Sequence, residues 1–220
     1  MKKRRYKAHT VDGKPVPFST DVYISFPPGT LTPAQKQDYE RQEDLARQYF
    51  KEDDNCRNLV GEQKWREAEE SCKVIVRIAD QFSGRSLEKM GAYELFGYVL
   101  RGQKRYQEAL EYFNRALDAV KLNLTEKNAE LGHIYGDIAI THHLMRDLDK
   151  ARELYRRAER IYQIAHAEMG RGDPDEESEK LRQNYMKSLK RLLEYHLIAA
   201  QDAGATSEVE EIRKLISSLP

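Results

Sequence analysis

The sequence predicts an all-α fold, an α-solenoid of about four antiparallel helix pairs behind a proline-rich, largely irregular N-terminal tail. Two observations predict it. Between residues 34 and 219 the only proline is Pro174, and a pattern of large and small apolar residues recurs about every 42 residues. Because proline interrupts helices and two-helix repeats are 30 to 45 residues long, we expect helical pairs from residue 32 onwards.

The composition narrows the class of protein. The chain of 220 residues carries 37 Lys+Arg and 37 Asp+Glu, and 34% of its residues are charged. This favours helices with ion-rich faces, and zero net charge disfavours binding of polyanions by the whole molecule. No run of about 18 apolar residues predicts a membrane span, and the basic start lacks the apolar run of a signal peptide. We therefore expect a cytoplasmic protein.

The segment 1–31 differs from the rest of the chain. It contains Pro15, Pro17, Pro27 and Pro28, with the β-branched and aromatic run 18–26 between them. Two interpretations stay open: a tail without fixed structure, and an extended arm packed on this or another chain. The basic run Lys2–Lys7 offers contacts to nucleic acid or an acidic partner.

The helical body has clear start signals. Thr32, Pro33 and Gln35 supply an N-cap, a proline in the first turn and the partner of a capping box. Asp173 and Pro174 open the last helix pair in the same way. Turns are predicted at Gly61, Ser83-Gly84, Gly102, Asn123–Thr125, Met145–Asp147, Gly170–Gly172 and Gly204.

The repeat is anchored on alanines. Ala68, Ala109 and Ala151 are 41 and 42 residues apart, each three residues after a large apolar side chain and four before another residue of the same face. On the preceding helix, large and small residues also alternate, as in Phe96 and Gly97. Such spacing places small side chains where a neighbouring helix approaches closely. The flanking residues are Trp65, Tyr106 and Leu148 before the alanines, and Cys72, Phe113 and Tyr155 after them.

This pattern resembles the tetratricopeptide repeat, in a long-helix variant with a period of about 42 residues like that of kinesin light chain. The resemblance implies units at about 34–82, 84–122, 125–169 and 173–219, the last serving as a cap because it lacks the alanine signature. It further implies a right-handed stack whose concave side is formed by the first helix of each pair.

The resemblance also implies a binding groove on that concave side, suited to an extended or helical peptide of another protein. We expect changing Tyr98 and Arg101 together to weaken partner capture with almost no effect on the melting temperature. Asp53 and Glu94 stand where a carboxylate-binding clamp would need donors, so a partner of mixed or locally basic charge fits at least as well. The residues expected to line the groove are Phe50, Asp53, Arg57, Glu94, Tyr98, Arg101, His133, Ile140, His143, Asn184, Lys187 and Arg191.

Chemical sites are not predicted. His142 and His143 point about 100° apart on a helix, so no metal site is expected, and His142 should be a buried imidazole in the helix seam. Cys56 and Cys72 allow one bridge at most, and in a reducing compartment they are expected to remain packed thiols. Gly170–Asp173 lacks the lysine and strand of a nucleotide loop. No cofactor is expected.

The sequence thus predicts a non-catalytic protein-protein interaction module: an adaptor, scaffold or regulatory subunit that binds another protein or a peptide. The alternative is a nucleic-acid-associated regulatory factor in which Lys2–Lys7 contacts phosphates while the repeats recruit a protein. A third hypothesis is an enzyme subunit that positions a partner's active site. No membrane contact is expected, and whether the end helices form a homo-oligomer stays open.

Overall fold

The helix pairs lie one after another along the chain in a computed structural model of the protein. The structure describes residues 10–11, 14–15, 32–84, 86–120, 128–169 and 176–219. Residues 10–11 (β1) and 14–15 (β2) pair as an antiparallel ladder, whereas the predicted extended run 18–26 and Lys2–Lys7 lie outside the described residues. The helices are α1 Pro33–Gly61, α2 Trp65–Ala79, α3 Ser86–Gly102, α4 Tyr106–Val120, α5 Ala129–Leu144, α6 Leu148–Met169, α7 Glu176–Asp202 and α8 Thr206–Ser218.

The first helix begins as its sequence predicts. Thr32 caps α1 by accepting a hydrogen bond from the backbone N–H of Gln35, whose side chain accepts one from the Thr32 backbone N–H in return. Pro33 occupies the first turn, where its missing N–H costs nothing. The predicted opening of the last pair at Asp173 and Pro174 lies outside the described residues.

The predicted α-solenoid is confirmed. Each helix packs against the next in the chain, α1 also contacts α3, and α5 also contacts α7. The first helices therefore lie side by side and form the concave side. The three alanines that anchor the repeat, Ala68, Ala109 and Ala151, are fully buried. This is what the close approach of a neighbouring helix requires. None of the described helices is long and apolar enough to cross a membrane.

The turns within the pairs share one backbone geometry. Gly61 and Gly102 are the last residues of α1 and α3, and the left-handed conformation falls two residues later, on Gln63 (φ 57°) and Lys104 (φ 63°). Arg146 (φ 65°) and Gly204 (φ 68°) take the same conformation in the third and fourth pairs. The sequence therefore identified the turns, but only the fourth pair has a glycine where a left-handed residue is needed.

The cysteine prediction was wrong. Cys56 on α1 and Cys72 on α2 form a disulfide, fully buried between the two helices. Facing helices bring their Cα atoms to 5.2 Å, within the range that a disulfide requires. The bond joins the two helices of the first pair covalently.

His142 also differs from its prediction. Its side chain is about one-fifth exposed rather than buried in the seam, and its Nδ1 lies 3.0 Å from Oδ2 of Asp147. Because His142 lies in the last turn of α5, its ring reaches the carboxylate in the turn that follows instead of the helix seam. The imidazole helps to fix that turn.

Candidate functional site

A groove of about 510 Å³ opens between α1 and the first half of α3. It brings together four of the six predicted binding residues of the first two helix pairs, Phe50, Asp53, Arg57 and Glu94. Phe50 is one of the most exposed large apolar side chains among the described residues, with 53% of its surface accessible. We call this cavity the α1/α3 groove, lined by Tyr49, Phe50, Asp53, Arg57, Leu87, Glu88, Met90, Gly91, Glu94 and Glu130.

The wall formed by α1 is held by an ion pair. The Arg57 guanidinium donates from Nε to Oδ2 of Asp53 at 2.6 Å, one helical turn away. Asp53 is buried, with 8% of its surface accessible, whereas the Arg57 side chain is about half exposed. The Tyr49 hydroxyl donates to the backbone carbonyl of Glu88 at 3.0 Å and so ties α1 to α3. Burial, followed by the charge of Asp53, raises the pKa of Tyr49, which keeps this hydroxyl a donor.

A polar cluster continues the concave side from α3 to α5. The Tyr98 hydroxyl donates to Oδ2 of Asp137 at 2.6 Å, and Arg101 pairs with Oδ1 of Asp137 at 3.1 Å. The Arg101 guanidinium also lies 5.0 Å above the Tyr98 ring and 5.4 Å above the Phe113 ring. Asp137 is buried and was not among the predicted groove residues.

The contacts in this cluster argue against the expectation that changing Tyr98 and Arg101 together would leave the melting temperature almost unchanged. The Arg101 side chain is only 17% exposed, and its removal would leave the Asp137 carboxylate buried without its cation. We now expect a double change of Tyr98 and Arg101 to lower the melting temperature. These two side chains therefore cannot be used to separate binding from folding.

Glu94 stands between the α1/α3 groove and the polar cluster. Burial, followed by the nearby charges of Asp137 and Glu130, raises the pKa of Glu94 well above its usual value. Arg57 acts in the opposite direction with a smaller effect. The charges of two further carboxylates thus act on Glu94.

A second cavity, of about 520 Å³, lies along α7. It includes two of the predicted residues, Lys187 and Arg191, both exposed. A hydrogen bond with Tyr195, followed by the tyrosine's charge, raises the pKa of Arg191. Asn184 is exposed on the same helix but does not line the cavity. We call this the α7 cavity, lined by Lys187, Lys190, Arg191, Glu194, Tyr195 and Ile198.

The predicted residues of the third pair line neither cavity. The His133 ring packs edge-on to the Tyr162 ring, with centroids 5.5 Å apart. Ile140 is half-buried against the core. Nε2 of His143 lies 3.1 Å from Oδ2 of Asp202 at the end of α7, and only 15% of the His143 side chain is exposed. These side chains therefore join neighbouring helices.

His196 on α7 escaped the sequence analysis. Its ring is 1% exposed, lies between Oε1 of Glu159 at 2.5 Å and Oε1 of Glu208 at 3.0 Å, and stacks on the Tyr155 ring. Although burial raises the pKa of Glu208, a hydrogen bond from Arg152 and the charges of His196 and Arg156 hold it below its usual value. A lone histidine in a helix gives no spacing signal, so only the packing of α6, α7 and α8 reveals this network.

No group of three or more His, Cys, Asp or Glu side chains in the described part of the chain is arranged to hold a metal ion. The α1/α3 groove combines exposed apolar side chains with charged ones.

The fold defines a class: an α-helical repeat protein, with a groove between its first helices α1 and α3. Residues 88–164 match the family model of the tetratricopeptide repeat. This match covers most of α3 to α6, the two pairs in which the alanine pattern is clearest. A search of curated proteins found no match.

Three solved structures illustrate the similarity of this chain to known proteins. The tetratricopeptide repeat domain of Arabidopsis FLU is 21% identical, with a TM-score of 0.48, covering 52% of this chain and 93% of that one. The repeats of a putative kinesin light chain from Podosopora anserina are 14% identical, with a TM-score of 0.48 and coverage of 78% and 94%. BtubC from P. vanneervenii is 15% identical, with a TM-score of 0.42 and coverage of 81% and 90%.

Proposed function

We propose that the protein is a non-catalytic interaction module, an adaptor, scaffold or regulatory subunit, that binds a peptide segment of another protein along its concave side. Tetratricopeptide repeats in general bind proteins or peptides. The observation that carries the proposal is the α1/α3 groove, in which exposed Phe50 and Leu87 lie beside charged groups on two consecutive first helices.

The groove has the features of a peptide site. Apolar anchors at a rim of charged side chains give a few strong contacts surrounded by polar ones, the usual distribution of binding energy in an interface. The α7 cavity offers a second region with Tyr195 and Ile198 beside three basic side chains. An extended segment crossing the first helices would reach both regions.

The other predicted binding residues divide by their contacts. Phe50, Asp53, Arg57, Glu94, Lys187 and Arg191 are proposed to touch the partner directly, because they line the two cavities. Tyr98, Arg101, His133, Ile140 and His143 are proposed to hold the first helices in place, because their side chains are occupied between helices. Asn184 is proposed as a peripheral contact.

A cytoplasmic location stays part of the proposal, and the Cys56–Cys72 disulfide bears on it. Disulfides are rare in reducing compartments unless they are well protected. This bond is fully buried. Trapping free thiols with an alkylating reagent in intact cells tests the point: an oxidised pair in cytoplasmic protein would mean that burial protects the bond, and two alkylated cysteines would mean that the cell keeps them reduced.

Site-specific photo-crosslinking tests the proposed function. The photoreactive residue p-benzoylphenylalanine replaces Phe50 in the α1/α3 groove or Ile198 in the α7 cavity. The control replaces the exposed Glu111 on α4, the second helix of its pair. We expect illumination in cells to attach the same polypeptide at Phe50 and Ile198 but not at Glu111. Attachment from Glu111 alone would overturn the proposed use of the concave side.

The nucleic-acid alternative depends on Lys2–Lys7, which lie outside the described residues. The α1/α3 groove carries several acidic side chains, which repel phosphates. We therefore keep the protein-binding function as the proposal.

A further inference from the structure

The α1/α3 groove is strongly acidic for a site with apolar walls. Among the described residues, its lining includes the carboxylates of Asp53, Glu94 and Glu130, the guanidinium of Arg57, and Glu88, which has an interaction of its own. They come from three helices, α1, α3 and α5, so that tertiary packing concentrates the charge. By contrast, the α7 cavity has three basic side chains and one carboxylate. The two ends of the concave side therefore differ in sign.

One carboxylate oxygen in the groove lacks a hydrogen-bond donor. Asp53 is 8% exposed, and although its Oδ2 accepts from Arg57, its buried Oδ1 has no hydrogen-bond partner among the described residues. A buried carboxylate oxygen without a donor is costly, so a positive charge in the groove beside Asp53 is favourable even without direct contact to Oδ1. This observation is independent of the number of acidic residues nearby.

Glu94 gives the same indication from the opposite wall. Because burial and then the charges of Asp137 and Glu130 raise its pKa, the ionised form of Glu94 needs a further positive charge. Asp137 already has its own donors, since it accepts from Tyr98 and pairs with Arg101. The carboxylates of Asp53 and Glu94 would therefore stabilise a cation that enters the groove.

The apolar part of the groove fits the stem of a long cationic side chain. Phe50 and Leu87 expose 53% and 38% of their surfaces at the groove. Lysine and arginine bury their methylene stems along apolar surface while their heads stay paired with carboxylates. A compact metal ion would leave this apolar surface uncovered, and no set of three metal ligands occurs in the described part of the chain.

We propose that the α1/α3 groove receives a lysine or arginine side chain of the partner's polypeptide, with an apolar residue beside it covering Phe50 and Leu87. The inference rests on the proposed function and narrows it to a partner segment that carries a basic residue next to an apolar one. Charge complementarity selects this occupant, because an acidic segment would be repelled by the carboxylates of the groove.

The test uses fluorescein-labelled peptide pools of eight residues, with one central position fixed and the others randomised. The fixed residue is lysine, arginine, the uncharged isostere norleucine, or glutamate, and binding is measured by fluorescence anisotropy. We expect the lysine and arginine pools to bind about tenfold or more tightly than the norleucine pool. The variants Glu94→Gln and Glu130→Gln should each remove most of this preference, whereas Glu111→Gln on α4 should keep it.

The outcomes separate the two proposals. Equal binding of the norleucine and lysine pools that is lost in Phe50→Ala would overturn the cationic occupant and leave peptide binding in the groove intact. Tighter binding of the glutamate pool than of the lysine pool would also overturn the cationic occupant and leave peptide binding in the groove intact. If no pool binds, or if Phe50→Ala, Glu94→Gln and Glu130→Gln all leave binding unchanged, both proposals fail. Circular dichroism melting of each variant verifies that the carboxamide replacements are folded.

Discussion

The ring of Phe113 on α4 lies against the backbone of Gly97 on α3, so closely that a methyl group on Gly97 would come within 2.6 Å of it. Glycine is needed here for the close approach of two helices rather than for an unusual backbone conformation. Cys56 and Cys72 precede Gly97 and Phe113 by 41 residues each, and in the first pair a disulfide fills the space that the glycine and the ring fill in the second.

Adding a methyl group at this contact tests the packing of the second pair. We expect Gly97→Ala to destabilise the protein by about 1–3 kcal/mol, because the Phe113 ring must move away from its buried position. The measurement is urea unfolding followed by circular dichroism. Gly61→Ala is the matched control, since no side chain lies within 4 Å of the added methyl group, and helix propensity should make it neutral or slightly stabilising. Equal stability of the two variants would mean that α3 and α4 lie further apart.

The equivalence of the disulfide and the glycine-aromatic contact can be tested by exchanging them. Removing the bond with Cys56→Ala and Cys72→Ala should cost about 2–4 kcal/mol, through a freer unfolded chain and lost packing. Replacing Cys56 by glycine and Cys72 by phenylalanine copies the second pair, and we expect it to recover part of that loss in urea unfolding under reducing conditions. A glycine-phenylalanine protein less stable than the alanine protein would contradict the equivalence.

The left-handed turns predict a stabilising substitution. Lys104 is exposed and has a φ of 63°, which costs about 1 kcal/mol for a side chain with a Cβ. We expect Lys104→Gly to raise the free energy of unfolding by a few tenths to about 1 kcal/mol. The control Lys51→Gly, at an exposed position inside α1, should lower it by about 1 kcal/mol. A loss of stability in both variants would show that this turn tolerates lysine without strain.

Acid should weaken the contact between the first and second pairs. Hydrogen bonds from Arg105 and then Gln103 outweigh partial burial and, with a smaller contribution from Lys73, lower the pKa of Glu69 from 4.5 to about 2. Because the folded-state pKa is lower than the unfolded one, this stabilisation is complete above pH 4.5 and is lost as the pH falls to about 2.

The variant Glu69→Gln isolates this effect. We expect it to be less stable than the parent by about 1 kcal/mol near neutral pH, with a difference that shrinks below pH 4.5. Urea unfolding at several pH values provides the measurement, with Glu111→Gln as a control for general charge effects. A difference that does not change with pH would place the contribution of Glu69 in packing rather than in its charge.

The buried His196 predicts strong coupling between the last three helices. We expect His196→Leu to cost about 3–5 kcal/mol, because it leaves the carboxylates of Glu159 and Glu208 buried without the ring between them. Adding Glu159→Leu to this variant should restore part of the loss, since an apolar pair needs no counter-charge. Additive losses in a double-mutant cycle would contradict direct coupling of the two side chains.

The sequence determined the elements that local chemistry controls. Thr32 and Gln35 specify the start of α1, and the buried alanines at 68, 109 and 151 specify which face of each second helix packs. Their spacing alone predicted the helix pairs, because small residues at a fixed helical phase leave few other ways to bury the face. Helical phase also led to Asp53 and Glu94 as groove residues, but not to Glu88 and Glu130, which line the same cavity.

Only the tertiary structure decided how side chains from different pairs meet. Tyr98 and Asp137 are 39 residues apart in the chain. His196 on α7 contacts Glu159 on the neighbouring helix α6. Their hydrogen bonds depend on the angle and distance between neighbouring pairs, which a repeat pattern does not specify. The same holds for the Cys56–Cys72 bond: the helical faces could be predicted from the sequence, whereas only packing brought the two sulfur atoms together. Local periodicity determined the helices, and the distances between helices determined the groove.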